Sequence, residues 1–180
     1  MELSDGIELL RDAVGDAGGA WADFGAGTGA FTLALAKSLG AGSTIYAVDD
    51  DAGAVRALRE LAASSEAARI VAVKADFSLP LEPTALGSGP LDGILFANSL
   101  HFVREAKEVL SHLSQLVRSG GRVIVVEYDR RGASQWVPHP IPVAQWPALA
   151  TSAGLVEPTV TARRPSMYSG SLYAGVARKP

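Results

Sequence analysis

A run of alternating glycines, Gly25-Ala26-Gly27-Thr28-Gly29, stands between a buried-strand pattern and a helical one, and it constrains the fold more than any other segment. The strand pattern is Ala20-Trp21-Ala22-Asp23-Phe24; Phe31, Leu35 and Leu39 then repeat at helical spacing until Gly40. Glycine at a strand-to-helix junction makes a tight turn and lets backbone approach a ligand closely. The run therefore predicts a nucleotide-like ligand at the carboxyl end of the strand. It parses as G-x-G-x-G, and through Gly25, Gly27 and Ala30 also as G-x-G-x-x-A, so the glycines alone leave the cofactor open.

The same alternation runs through most of the chain. Leu3, Ile7, Leu10 and Val14 mark one face of an opening helix. Residues 44–48 read as a second strand, and Val55, Leu58 and Leu61 as the helix after it. Residues 70–73 make a third strand, and a loop with Pro80, Pro83 and Pro90 leads to a fourth over residues 91–97. A fourth helix is expected over residues 103–117, stopped by Ser119-Gly120-Gly121, with a fifth strand over residues 122–127. Parallel neighbours need crossover helices, and these cover both faces of the sheet, so the class is α/β. The end departs from this rhythm. A proline-rich loop over residues 137–147 precedes a short helix near residues 148–153. Two extended segments follow, residues 156–164 and 171–178, joined by a turn over residues 167–170. They predict a hairpin that adds an antiparallel strand.

A chain of 180 residues with 48% hydrophobic and 19% charged residues suits one hydrophobic core. We expect a single domain over residues 1–180, with a short N-terminal helix (1–19), a ligand-binding core (20–130) and a substrate-side loop, helix and hairpin (131–180). The net charge of −3 supplies no basic field for nucleic acid or anionic lipid. With no cysteine, thiolate nucleophiles, disulfides and zinc-thiolate sites are excluded, and no metal is expected. No stretch approaches the roughly 20 apolar residues of a membrane helix, and the N-terminus is acidic. These features predict a cytoplasmic protein with no membrane or nucleic-acid partner.

Two carboxylates accompany the glycines. Asp23, two residues before Gly25, is expected to face the cleft, where it would oppose a pyrophosphate but favour an ammonium or sulfonium. Asp49 closes the second strand, where a carboxylate accepts hydrogen bonds from both hydroxyls of a ribose. Asp50 and Asp51 supply alternative capping oxygens for the next helix, which leaves Asp49 free for this role.

The segment from Ala20 through Gly29 resembles motif I of the class I S-adenosylmethionine-dependent methyltransferases. Ile45-Tyr46-Ala47-Val48-Asp49 looks like their second-strand acidic motif, and Val73-Lys74-Ala75-Asp76-Phe77 like their adenine-contacting motif. Residues 91–101, 120–127 and the terminal hairpin are similar to the later parts of that fold, so the resemblance covers about residues 20–178. It implies a Rossmann-like, doubly wound, mostly parallel seven-stranded sheet with an antiparallel C-terminal hairpin strand. It also implies S-adenosylmethionine as cofactor and S-adenosylhomocysteine as product. Carried over, Gly25, Ala26, Gly27 and Gly29 would lie under the methionyl and ribose portion, and Asp23 at the amino-acid end. Asp49 and Asp50 would hold the ribose, Asp76 and Phe77 the adenine, and Asn98 the methionine pocket.

A sulfonium already activates its methyl group, so the protein must chiefly place a nucleophile in line and, where that nucleophile carries a proton, supply a base. Candidate groups beyond the strand ends are His101, Glu127, Tyr128, Asp129 and His139. His101, Asp129 and His139 are the candidate catalytic residues, because a histidine or carboxylate can take the proton. Tyr128, Trp136 and His139 are expected to contact substrate, the stiff Trp136-Val137-Pro138-His139-Pro140 stretch forming a wall. Lacking a separate recognition domain, the chain is expected to methylate a small molecule on oxygen, nitrogen or carbon, with a homodimer allowed. Arg163, Arg164, Arg178 and Lys179 form a basic cluster suited to steering an anionic substrate. The rival readings are an NAD(P)-dependent Rossmann oxidoreductase, supported by the overlapping glycine pattern and Asp49, a non-catalytic S-adenosylmethionine-binding protein, and a methyltransferase of RNA or protein acting with a partner subunit.

Overall fold

A computed structural model describes residues 2–81, 84–130, 132–166 and 170–180. Helix α1 spans Leu3–Val14, α2 Ala30–Leu39, α3 Ala52–Ser64, α4 Ala106–Leu113 and α5 Trp146–Ser152. Strands β1 (Ala20–Phe24), β2 (Thr44–Asp49), β3 (Arg69–Lys74), β4 (Leu91–Ala97), β5 (Val117–Tyr128), β6 (Val156–Pro165) and β7 (Ser171–Arg178) form one sheet in the order β3-β2-β1-β4-β5-β7-β6. The first five are parallel, and β7 pairs antiparallel with both β5 and β6, as the expected hairpin requires. The turn expected over residues 167–170 lies, except for Gly170, outside the described residues.

Strand alternation divides the core in two. Trp21, Ile45, Ala47, Leu95, Ile124 and Val126 face α1, α2 and the buried Leu58 of α3. Ala22, Phe24, Ile94, Phe96, Val123 and Val125 face α4, α5 and the loop before β4. Two buried tryptophans anchor these layers on glycines. A Cβ on Gly93 would stand 2.5 Å from the Trp21 ring, and one on Gly175 2.6 Å from Trp146 Nε1. Each indole N–H donates to a carbonyl, Trp21 to Gly18 and Trp146 to Thr159, so neither buried donor is orphaned.

The β4–β5 connection differs from the sequence expectation. The expected helix over residues 103–117 is one short α4 flanked by single 3-10 turns at Leu100–Phe102 and Ser114–Leu116. Strand β5 begins at Val117, because Val117 pairs with Leu91 and Arg118 Nε bonds Asp92 Oδ1 at 2.7 Å. The Gly120-Gly121 pair, read as a stop, sits inside β5, where the register shifts between Leu91 and Gly93 and Gly120 takes φ 72°. Helix α5 likewise starts earlier than expected: Pro147 sits in its first turn, where a missing N–H costs nothing.

The strand order reverses between β1 and β4. Beyond the carboxyl ends of adjacent strands at such a reversal an α/β sheet leaves a crevice, and here that crevice is lined by the glycine run.

Candidate active site

The glycine loop is held by backbone. Gly25 N and Ala26 N both donate to Val48 O, at 2.9 and 3.0 Å, which ties the loop to the end of β2. Gly27 N donates to Asp49 Oδ2 at 2.8 Å, and Asp51 N to Asp49 Oδ1 at 2.9 Å. Each carboxylate oxygen thus keeps acceptor capacity for a hydroxyl in the cleft. Asp51, not Asp49, caps α3 by accepting from Ala54 N at 2.7 Å. Gly25 and Gly27 have positive φ, 73° and 55°, and a Cβ on Gly27 would meet nothing within 4 Å, so that position opens on empty cleft.

The cleft has a volume of about 680 Å3. Gly25, Ala26, Gly27, Asp49, Asp50, Asp76, Phe77 and Asn98 all line it, so eight of the expected cofactor residues converge. Asp76 Oδ1 accepts from Ser78 N at 2.8 Å and Ser78 Oγ at 2.6 Å, which fixes the carboxylate and leaves Oδ2 open. Phe77 packs against Phe24 and Phe96, with ring centroids 6.0 and 5.8 Å away. Asn98, the residue after β4, takes a left-handed conformation (φ 54°), its N–H donating to Val126 O and its buried Oδ1 without a partner. An orphaned acceptor at the cleft wall is suited to a ligand donor. Ser99 Oγ, donating to Phe24 O at 2.6 Å, holds this corner against β1.

Two expected cofactor residues do not reach the cleft. Asp23 is 1% exposed and, by strand alternation, lies on Trp21's face beneath α2, where Thr32 Oγ1 donates to its Oδ2 at 2.7 Å. Burial pushes its carboxyl up to about 7, the Thr32 hydrogen bond opposing and the nearby Asp49 charge adding to the shift. Gly29 is the N-cap of α2 at φ 92°, and a Cβ there would strike Leu61 of α3 at 2.5 Å. Its glycine serves helix packing.

A second cavity, of about 640 Å3, adjoins the first and shares Asn98 and Phe102 with it. His101, Tyr128, Arg130, Trp136 and Val137 complete its wall. His101 is buried, and its Nδ1 lies 2.6 Å from Oε2 of Glu127, itself fully buried on β5. The backbone N–H of His101 donates to Glu127 Oε1 at 3.2 Å, so the carboxylate is held at both oxygens. An ionised Glu127 keeps the imidazole proton on Nδ1 and leaves the Nε2 lone pair available to accept a proton.

The segment after β5 folds back as a tight turn. Ser134 and Val137 exchange backbone bonds at 3.0 and 3.2 Å, which buries Val137 and leaves Trp136 73% exposed at the cavity mouth. Tyr173 OH donates to Ile141 O at 2.9 Å and clamps the following prolines; burial, with Glu127 and Asp129 nearby, raises this phenol's pKa and keeps it neutral.

Asp129 and His139 are not brought to the site. Asp129 Oδ1 accepts from Val143 N at 3.1 Å and pins the proline-rich loop, while His139 bonds His101 O only through its backbone N–H, at 3.0 Å. Neither side chain lines either cavity. The supposed basic cluster is dispersed as well. Arg164 pairs with Asp5 of α1, and Arg178 pairs with Glu157 beside Arg122, at the end of the sheet away from the cleft. Sequence reasoning missed Phe102, Arg104 and Arg130. Phe102 and Arg130 each follow a named candidate by only one position, but nothing in periodicity separates them from ordinary surface residues.

Among the described residues, no helix is long and apolar enough to cross a membrane. By sequence, no curated protein matches the chain. By structure it is similar to EvdMO1, at TM-score 0.70 and 22% identity over 99% of this chain and 41% of that one, so it spans about two fifths of that protein. It is also similar to the methyltransferase CcbJ from Streptomyces caelestis, at TM-score 0.73 and 17% identity over 100% and 97% of the two chains. A third similar structure is magnesium protoporphyrin IX methyltransferase from Synechocystis PCC 6803 with bound S-adenosylmethionine, at TM-score 0.66 and 16% identity over 99% and 78%. A family model described as a methyltransferase domain matches residues 22–123, more than half of the chain and the carboxyl ends of the strands that border the first cleft. With motif order, sheet order and family model in agreement, this protein belongs to the methyltransferase-domain family and is an S-adenosylmethionine-dependent methyltransferase.

Proposed function

We propose that the chain is a cytoplasmic enzyme that methylates a small molecule, with the cofactor in the glycine-lined cleft and the acceptor in the adjoining cavity. The observation that carries this reading is the contiguity of the two cavities, which meet at Asn98 and Phe102. When bound, S-adenosylmethionine supplies an electrophilic methyl group on a sulfonium. Asp49 accepts from the ribose hydroxyls, Asp76 from the adenine amino group, and Asn98 Oδ1 from the cofactor's ammonium. The exposed Asp50 adds negative charge near the ribose, and Gly27 leaves room for its passage. His101 Nε2 takes the proton of the acceptor's nucleophile, and Glu127 stabilises the imidazolium that results. Tyr128, Trp136 and Phe102 enclose the acceptor and exclude water.

The test is calorimetric titration of the chain with S-adenosylhomocysteine and, in parallel, with NAD. Binding of the first and not the second is expected; NAD binding in its place overturns the cofactor assignment. A screen of small-molecule acceptors, read by mass gain of one methyl group, then tests the acceptor class. Turnover confined to RNA or protein overturns the small-molecule reading.

A further inference from the structure

Among the described residues, the acceptor cavity is lined by one fixed cation and no free anion. Its walls are Phe102, Tyr128, Trp136 and Val137, and its polar members are Asn98, His101 and Arg130. The two nearby carboxylates are already committed, Glu127 to His101 and Asp129 to the Val143 N–H. Arg130 stands just past the end of β5, held by its N–H donating to Tyr128 O at 2.9 Å. Its Nε is buried without a hydrogen-bond partner, and its NH1 makes a single long contact, 3.3 Å, to Ser134 Oγ. Among the described residues no carboxylate lies within ion-pair distance of it, whereas Arg118, Arg164 and Arg178 are each paired with one.

A guanidinium taken partly out of water and left unpaired is costly, and a planar carboxylate matches its fork of donors. The charge count selects among anions. Arg104 opens on the cofactor cleft and not on this cavity, so Arg130 is the one cation lining it among the described residues. One cation balances one negative charge; a phosphate dianion would leave a second facing aromatic walls. The remaining lining fits a flat apolar body, because Phe102 and Trp136, 57% and 73% exposed, present ring surface to the cavity.

We infer that the acceptor is a planar, largely apolar molecule bearing one carboxylate, which docks on Arg130 and sets its proton-bearing nucleophile against His101. The inference rests on the proposed function, since it fills the cavity assigned there to the acceptor.

The experiment uses the full chain saturated with S-adenosylhomocysteine, titrated with hydroxylated aromatic acids and their uncharged partners: salicylate against salicylamide, and caffeate against its amide. At least one acid is expected to bind tenfold or more tightly than its amide, and added salt to weaken the acid alone. Arg130→Met is expected to abolish the preference and Arg130→Lys to retain part of it, both with unchanged affinity for S-adenosylhomocysteine. Acids binding no better than amides to a chain that binds S-adenosylhomocysteine overturn the inference and spare the proposed function. A preference that survives Arg130→Met overturns it too. If Arg130→Met loses S-adenosylhomocysteine affinity, the salt dependence of the wild-type preference decides, and a salt-independent preference overturns the inference. A wild-type chain that binds no S-adenosylhomocysteine overturns the proposed function and this inference with it.

Discussion

The two cavities are built by different means. The cofactor cleft is assembled largely from backbone: glycines at positive φ, amides tied to Val48 O, and a carboxylate, Asp49, oriented by the Gly27 and Asp51 amides. The cavity proposed for the acceptor is assembled from side chains gathered from three separate segments, Asn98 to Phe102, Tyr128 to Arg130, and the Trp136 turn. A backbone cradle tolerates few residue types at fixed spacing and is therefore readable in a sequence. A side-chain cavity tolerates many, which is what lets one fold accept different substrates. The contrast predicts that changes on the first side cost cofactor binding, and that changes on the second cost turnover or acceptor affinity alone.

The largest effect is expected from Gly27→Val. A β-branched residue at φ 55° is strained, and its side chain would project into the empty space above the loop. S-adenosylhomocysteine affinity should fall by about a hundredfold or more, equivalent to roughly 2.7 kcal/mol, measured calorimetrically on a chain of unchanged circular dichroism. Asp49→Ala should act in the same direction, since it removes both the acceptor and the anchor of the Gly27 amide. Unchanged affinity in both variants breaks the comparison at its stronger end.

On the acceptor side the largest effect belongs to Glu127→Gln, a change of nearly constant volume. The glutamine no longer supplies the charge that holds the proton on His101 Nδ1 and stabilises an imidazolium. Turnover should fall by about a hundredfold or more, with cofactor affinity within a factor of about two and a displaced pH–rate profile. A parallel loss of cofactor affinity would mean that Glu127 supports the whole strand end and not the base.

The fold was legible where local chemistry and tertiary pairing agree. The bounds of β1, β4 and β7 follow from apolar runs between breakers, and the hairpin follows from two extended runs without a helix between them. The α4–β5 junction was not legible, because Leu116 and Val117 continue a helical stripe in sequence while Leu91 and Asp92, about 26 residues away, draw that segment into the sheet. The same limit explains Asp23 and Gly29. Both belong to a recognisable motif, yet one is turned beneath α2 by strand alternation and the other is consumed by the approach of Leu58 and Leu61. Arg130 was illegible for a further reason: its unpaired Nε is a property of what surrounds it, and only the assembled cavity reveals it.

Trp136 and His139 sharpen the comparison within one loop. The indole lines the cavity and is exposed, so Trp136→Ala should raise the acceptor's KM by about tenfold while changing stability by less than about 0.5 kcal/mol. His139 engages His101 only through its amide, so His139→Ala should leave both KM and kcat within about twofold. Steady-state kinetics on the two variants checks the pair, and equal effects would mean that the whole stretch acts as one rigid wall.

The smallest effect on function is expected at Asp23, which the motif marks as cofactor-binding and the structure buries. Its carboxyl is pushed from 3.8 up to about 7, so the folded state holds the proton more tightly than the unfolded chain does. The stability this contributes is complete below about pH 4 and is lost as pH rises through about 7, at no more than about 1.4 kcal/mol per pH unit. Asp23→Asn removes the titration, so its thermal stability relative to wild type should climb between pH 4 and 7 and level off above that. S-adenosylhomocysteine affinity should change by less than about tenfold, or roughly 1.4 kcal/mol, because the side chain bonds Thr32 and does not line the cleft. Melting curves that stay parallel across that range would place the ionised carboxylate in the folded protein. In that case the cofactor side of the molecule would rest on a buried charge as well as on its backbone.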